Sequence, residues 1–120
     1  LAKDIIGGAA HTAHPNVCPR TGHLVGWSWA QLIRKNSLEV TFTEYSPVNF
    51  ESVATSTYEV PGCELAPHDM ALTDECILFK VNALTMQTES FITGLSGPAA
   101  ALKMDGRANV RLHVFPRPTS

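Results

Sequence analysis

Hydrophobic and polar positions alternate most clearly between Leu38 and Tyr45, where Leu38, Val40, Phe42 and Tyr45 are spaced against Glu39, Thr41, Thr43 and Glu44. A period of two sends these sets to opposite faces of an extended segment, so a half-buried strand is predicted, irregular at its Glu44-Tyr45 end. On either side lie His23–Gln31, reading His-Leu-Val-Gly-Trp-Ser-Trp-Ala-Gln, and the Val- and Thr-rich Val53–Val60. Their aromatic and β-branched content favours strands. Polar and Pro/Gly clusters separate these runs: Pro19-Arg20-Thr21-Gly22, Lys35-Asn36-Ser37, the loop Pro47–Ser52, and Pro61-Gly62. His11–Val17 is an edge or strand-end segment, because Pro15 has no N–H for a ladder.

Downstream, Met70–Leu72 and Cys76–Val81 are apolar runs divided by a Thr73-Asp74-Glu75 turn. Asn82–Ser96 reads as a short helix or loop, Gly94–Pro98 as a breaker cluster, Ala99–Met104 as a short apolar run and Asp105-Gly106 as a hairpin-type turn. Asn109–Phe115 is a last strand, and the prolines at 116 and 118 end it. Leu1–Ala10 is ambiguous, since Gly7-Gly8 breaks any helix begun before it. Seven or eight short strands with turns at roughly 8–12-residue intervals predict an all-β, antiparallel chain: a sandwich, a barrel or a propeller segment. With 120 residues, 1–120 is read as a single unit.

Composition narrows the function more than the fold. Nine Lys plus Arg against eleven Asp plus Glu leave a formal charge of −2, which gathers neither phosphate backbones nor anionic lipid, so no nucleic acid is expected. No apolar run reaches the roughly 18 residues of a membrane-spanning helix. Cys18, Cys63 and Cys76 are odd in number and fit neither a paired C-x-x-C site nor a dense disulfide framework; reduced thiols are expected, in a plastid or the cytoplasm rather than outside the cell. Leu1 in place of methionine suggests a processed or excised chain.

No glycine-rich phosphate loop and no G-x-S-x-G elbow is present. Asp69 beside His68, and Asp74-Glu75, are the close carboxylates, and they suit caps and turns. Two histidines head apolar runs: Thr12-Ala13-His14-Pro15, and Pro67-His68-Asp69 before Met70-Ala71-Leu72. Imidazole suits Fe, Zn, Cu and Ni, but two imidazoles are too few to hold a catalytic metal. Strand geometry would point His11 and His14 to opposite sides, so only one of them serves a given site.

The run Thr12-Ala13-His14-Pro15-Asn16-Val17-Cys18-Pro19-Arg20-Thr21-Gly22-His23-Leu24 resembles a segment of carotenoid cleavage oxygenases that usually reads T/S-A-H-P-x-x-D-P-x-T-G-E-L. His68-Asp69-Met70-Ala71-Leu72-Thr73 resembles that family's second histidine segment, and Gly94-Leu95-Ser96-Gly97-Pro98 with Arg111 to Pro116-Arg117 resembles a later strand pair ending in Pro-Arg. The resemblance implies about two to three blades of a seven-bladed β-propeller, incomplete as given. It also implies an iron(II) centre held by four histidines, with His14 and His68 as the first two, and oxidative cleavage of a conjugated C=C bond in a carotenoid or apocarotenoid by dioxygen. Cys18 stands where the family usually has Asp, and His23 where Glu is common. The remaining ligands, and the apolar dome for membrane contact and substrate access, fall outside this stretch. The alternative is a non-catalytic binding or assembly subunit of a larger, pigment-containing membrane complex, held by other protein subunits. A β-sandwich with structural histidines is the third reading.

Overall fold

The computed structural model describes residues 10–62, 69–81, 84–86, 89, 92–95, 97, 102–104 and 109–120. The chain is all-β and antiparallel. Its first sheet contains β1 (Ala10–His11), β2 (Asn16–Val17), β3 (Leu24–Leu32), β4 (Ser37–Tyr45) and β5 (Ser52–Pro61), with a 3-10 turn at Ile33–Lys35 between β3 and β4. The long strands run as a β3-β4-β5 meander, and β1 and β2 share the free edge of β3. β6 (Ala71–Leu72) and β7 (Cys76–Val81) follow, then a hairpin of β8 (Leu84–Met86) and β9 (Leu102–Met104), and finally β10 (Arg111–Pro116). The second sheet has the order β10-β7-β6.

The predicted strands stand within a residue or two of these bounds, and Cys76–Val81 coincides with β7. One reading is corrected. Within Asn82–Ser96, residues 84–86 are a strand paired with β9, whereas Glu89 and Ile92 are helical as expected, and the Thr93 N–H donates to the Glu89 carbonyl at 3.0 Å. For the strand part, pairing with 102–104 outweighs local preference. The expected Asp105-Gly106 turn lies outside the described residues.

The alternation in β4 determines where the core sits. Leu38, Val40 and Phe42 are fully buried, and register sets Val40 opposite Trp29 and Tyr58, and Phe42 opposite Trp27. Ile77, Phe79 and Val81 supply the facing side of β7. Aromatic rings join the two sheets. Phe79 meets Trp27 edge-on at 5.2 Å and Phe42 edge-on at 5.7 Å, while Tyr58 stacks on Phe115 at 4.6 Å. Such pairs add about 0.5–1.5 kcal/mol to the area they bury. The opposite face of the first sheet is polar. Thr41 and Thr57 share a hydrogen bond at 3.0 Å, and Thr55 and Thr43 another at 3.4 Å.

Two turns show why their residues are what they are. Gly22 has φ 73°, a left-handed conformation that glycine adopts at no steric cost, and its N–H donates to the Cys18 carbonyl at 2.8 Å. Asn36 has φ 50° in the β3–β4 connection, the left-handed region that asparagine tolerates better than most residues.

Truncating the rings that join the sheets should therefore cost far more than truncating the threonine face. Phe42→Ala or Phe79→Ala is expected to lose about 3–5 kcal/mol, and Thr57→Ala within about 0.5 kcal/mol. Denaturant unfolding of the variants checks this; equal losses would place the core elsewhere.

Candidate metal-ligand bulge and the ionic junction

His14 lies where the edge of the first sheet leaves its ladder. β1 ends with His11 opposite Ser28, and β2 resumes with Asn16 opposite Val25, so the four residues Thr12–Pro15 stand opposite only Gly26 and Trp27. Two surplus residues make a bulge, which bends the strand and re-aims its side chains. The strand alternation relating His11 to His14 is thus interrupted. The Thr12 N–H donates to the Trp27 carbonyl at 2.9 Å, and the His14 N–H donates to the Thr12 hydroxyl at 3.0 Å. Pro15 has no N–H to restore the ladder. His14 is exposed at this point.

The bulge is tied to the second sheet just past the histidine. The Asn16 side-chain amide donates to the Met70 carbonyl at 3.2 Å. Asn16 follows His14 by two positions and Met70 follows His68 by two, and both lead into short edge strands, β2 and β6. His68 itself lies outside the described residues. Among the described residues, no three His, Cys, Asp or Glu side chains gather in a way that could hold a metal.

The other histidines occupy different places. His11 borders a cavity of about 110 Å³ with Gly26, Ser28, Thr43 and Tyr45. His113 stacks on Phe115, and its buried Nε2 has no hydrogen-bond partner; the same holds for the buried indole nitrogen of Trp27. His23 touches Glu44 through Nδ1 at 3.0 Å. Glu44 only accepts, so Nδ1 carries the hydrogen in that bond.

Glu44 brings in the part of the structure that motif reading passes over. It has the core parity of β4, following Leu38, Val40 and Phe42, and it is fully buried. Arg117, directly after β10, is 2% exposed and grips it with a two-pronged fork: Nε donates to Oε1 at 2.9 Å and Nη2 to Oε2 at 2.7 Å. The Thr119 hydroxyl donates to Oε1 at 2.9 Å. Arg117 Nη1 donates to the Cys18 sulfur at 3.1 Å and to the Asp74 carbonyl at 3.2 Å, and the Arg117 N–H donates to the Glu75 carbonyl at 2.9 Å. One guanidinium thus joins β4, the turn after β2 and the β6–β7 turn. Burial pushes the Glu44 carboxyl upward, but hydrogen bonds from Arg117, His23 and Thr119 outweigh it and hold the group at about 2, against an ordinary 4.5. The fork to Glu44 chiefly raises Arg117 above its usual range. The signal was in the alternation: a carboxylate at a core position requires a cationic partner.

Structures that share this two-sheet arrangement are carotenoid oxygenases. The chain superposes with a TM-score of 0.81 on a variant chimera of ACO and RPE65, at 22% identity over 94% of this chain and 24% of that one. For cobalt-substituted Synechocystis apocarotenoid oxygenase the TM-score is 0.77, at 22% identity over 93% of this chain and 24% of that one. For Pseudomonas brassicacearum lignostilbene dioxygenase it is 0.72, at 24% identity over 98% and 22%. The chain therefore spans about a quarter of the solved relatives it matches. No curated protein matches it significantly. The profile of the retinal pigment epithelial membrane protein family, RPE65, matches residues 2–120, and the chain belongs to that family.

The junction gives a pH prediction. Glu44 has a lowered folded pKa, so its contribution is complete above the unfolded value of 4.5 and disappears as pH falls through about 2. Acid titration of stability should show a loss in that window which Glu44→Gln lacks. Glu44→Gln should itself destabilise the fold at neutral pH, by up to about 3–5 kcal/mol, because it removes the carboxylate that the buried fork is built on. Identical acid profiles for both proteins would contradict the assignment.

Proposed function

We propose that this chain is the part of a non-haem iron(II) carotenoid or apocarotenoid cleavage dioxygenase that contributes two of four imidazole ligands, His14 and His68. The observation that carries the reading is the bulge. In a chain of this family, a histidine stands on a two-residue insertion at a sheet edge, and the bond from Asn16 to Met70 joins the segments that follow the two histidines. His14 fits a ligand role by chemistry: it presents a nitrogen donor from a backbone pinned on both sides, by Thr12 to β3 and by Asn16 to the second sheet. One or two imidazoles do not hold iron by themselves, so the other ligands come from outside residues 1–120. Bound ferrous iron supplies the activation of dioxygen for cleavage of a conjugated double bond. The contribution of this chain is to hold the imidazoles at the inner ends of two packed sheets.

The two sheets are read as part of a seven-bladed propeller, amounting to about two to three blades. β10 supports this, because it faces the core with His113 and Phe115 and turns Leu112 and Val114, 61% and 58% exposed, to the other side. Apolar residues on both faces are typical of a sheet covered on both sides. Substrate choice within the carotenoid, apocarotenoid or stilbene class, and any membrane contact, belong to segments outside this chain.

In the protein that carries this chain, His14→Ala and His68→Ala should each reduce iron affinity by more than the about 10–100-fold that loss of a supporting residue costs. His11→Ala should keep the metal. Iron content per polypeptide by elemental analysis checks this, and a His14→Ala protein loaded like the parent would refute the ligand assignment.

A further inference from the structure

Beyond the fork to Glu44, Arg117 reaches a second side chain. The fork spends Nε and Nη2, while Nη1 lies 3.1 Å from the sulfur of Cys18, a side chain only 1% exposed, as well as 3.2 Å from the Asp74 carbonyl and 3.5 Å from the Thr73 carbonyl. A neutral thiol is a weak acceptor, whereas a hydrogen bond from a cation to an anion is among the strong ones. Cys18 begins the turn closed by the Gly22 N–H on the Cys18 carbonyl, and that turn seats the sulfur against the guanidinium. A buried sulfur held 3.1 Å from a buried guanidinium nitrogen lies in the environment of an anion.

We propose that Cys18 is a thiolate in the folded protein, the second anion on the Arg117 guanidinium, and that protonation of this sulfur loosens the junction between the two sheets. The charges around it are consistent with this. Arg117 faces the sulfur directly, Glu44 lies across the guanidinium, and His23 touches the far side of Glu44. Arg20 and Asp74 pair at 3.3 Å on the exposed rim, beside Glu75 and Cys76 in an open cleft of about 410 Å³. The local cation is therefore shared by two anions. The hydroxyl and amide of Thr21 lower the thiol most. Burial opposes them, Arg117 and the Arg20 amide assist, and the group falls from 9.0 to about 6. The folded value is depressed, so the stabilisation is complete above about pH 9 and is lost as pH falls through about 6. This window lies well above that of Glu44.

Thiolate absorbance in the ultraviolet, titrated for the parent protein and for Cys18→Ser and subtracted, isolates this sulfur from the other cysteines. The expected midpoint is near 6; a midpoint near 9 overturns the proposal. Should Cys18→Ser fail to fold, the Cβ carbon chemical shift of Cys18 in the parent protein reports the same midpoint. A second readout concerns the junction itself. The melting temperature of the parent should fall between pH 9 and pH 6, Cys18→Ala should lack that fall, and Cys18→Asp, whose carboxylate stays charged there, should hold its melting temperature across the range. A parent profile that matches Cys18→Ala would refute the coupling.

Discussion

The structure depends on one buried ion pair. The aromatic core presses the sheets together but is indifferent to small slides between them, because dispersion and hydrophobic burial carry little directional information. Glu44 and Arg117 supply direction. Their fork fixes the end of β4 against the residue following β10, and Nη1 fixes both to the turns at Cys18 and Asp74. A buried pair of this kind is weak evidence for net stability, since desolvation offsets much of the attraction. Its consequence is geometric: one guanidinium touches the end of β4, the turn after β2 and the turn after β6.

That placement matters for the short edge strands. β2 and β6 have only two residues each, too short to be positioned by their own ladders. The Cys18 turn follows β2 and the Thr73–Asp74 turn follows β6, so Arg117 anchors both strands at their C-terminal ends. At their N-terminal ends the bond from Asn16 to Met70 does the same. The segments bearing His14 and His68 lead into this twice-fastened pair of strands. The ion pair and the Asn16–Met70 hydrogen bond thus hold the strands that follow both histidines, which is the rigid support that the proposed ligand role requires.

Much of the fold was legible because strand period and turn chemistry agree. Leu38, Val40 and Phe42 predicted the core face of β4, and Gly22 and Asn36 stand where the chain turns with positive φ. The β8–β9 pairing was not legible, since it joins segments 84–86 and 102–104 that carry no strong local signal. The candidate site was half legible. The sequence around His14 singled it out, but a bulge is a mismatch between two strands, and one strand read alone cannot show it. Arg117 was hidden for the same reason, since its partners lie 73 and 99 positions away. Glu44 has the parity of Leu38, Val40 and Phe42, but reading it with the polar set of β4 left its need for a distant cation unseen.

The most direct test of the account is the position of the metal. Anomalous diffraction at the iron edge, from crystals of the iron-loaded protein that carries this chain, places the ion without reference to activity. The account predicts iron within bonding distance of imidazole nitrogens from both His14 and His68. Iron held by other residues, with either of these imidazoles pointing away, would contradict it.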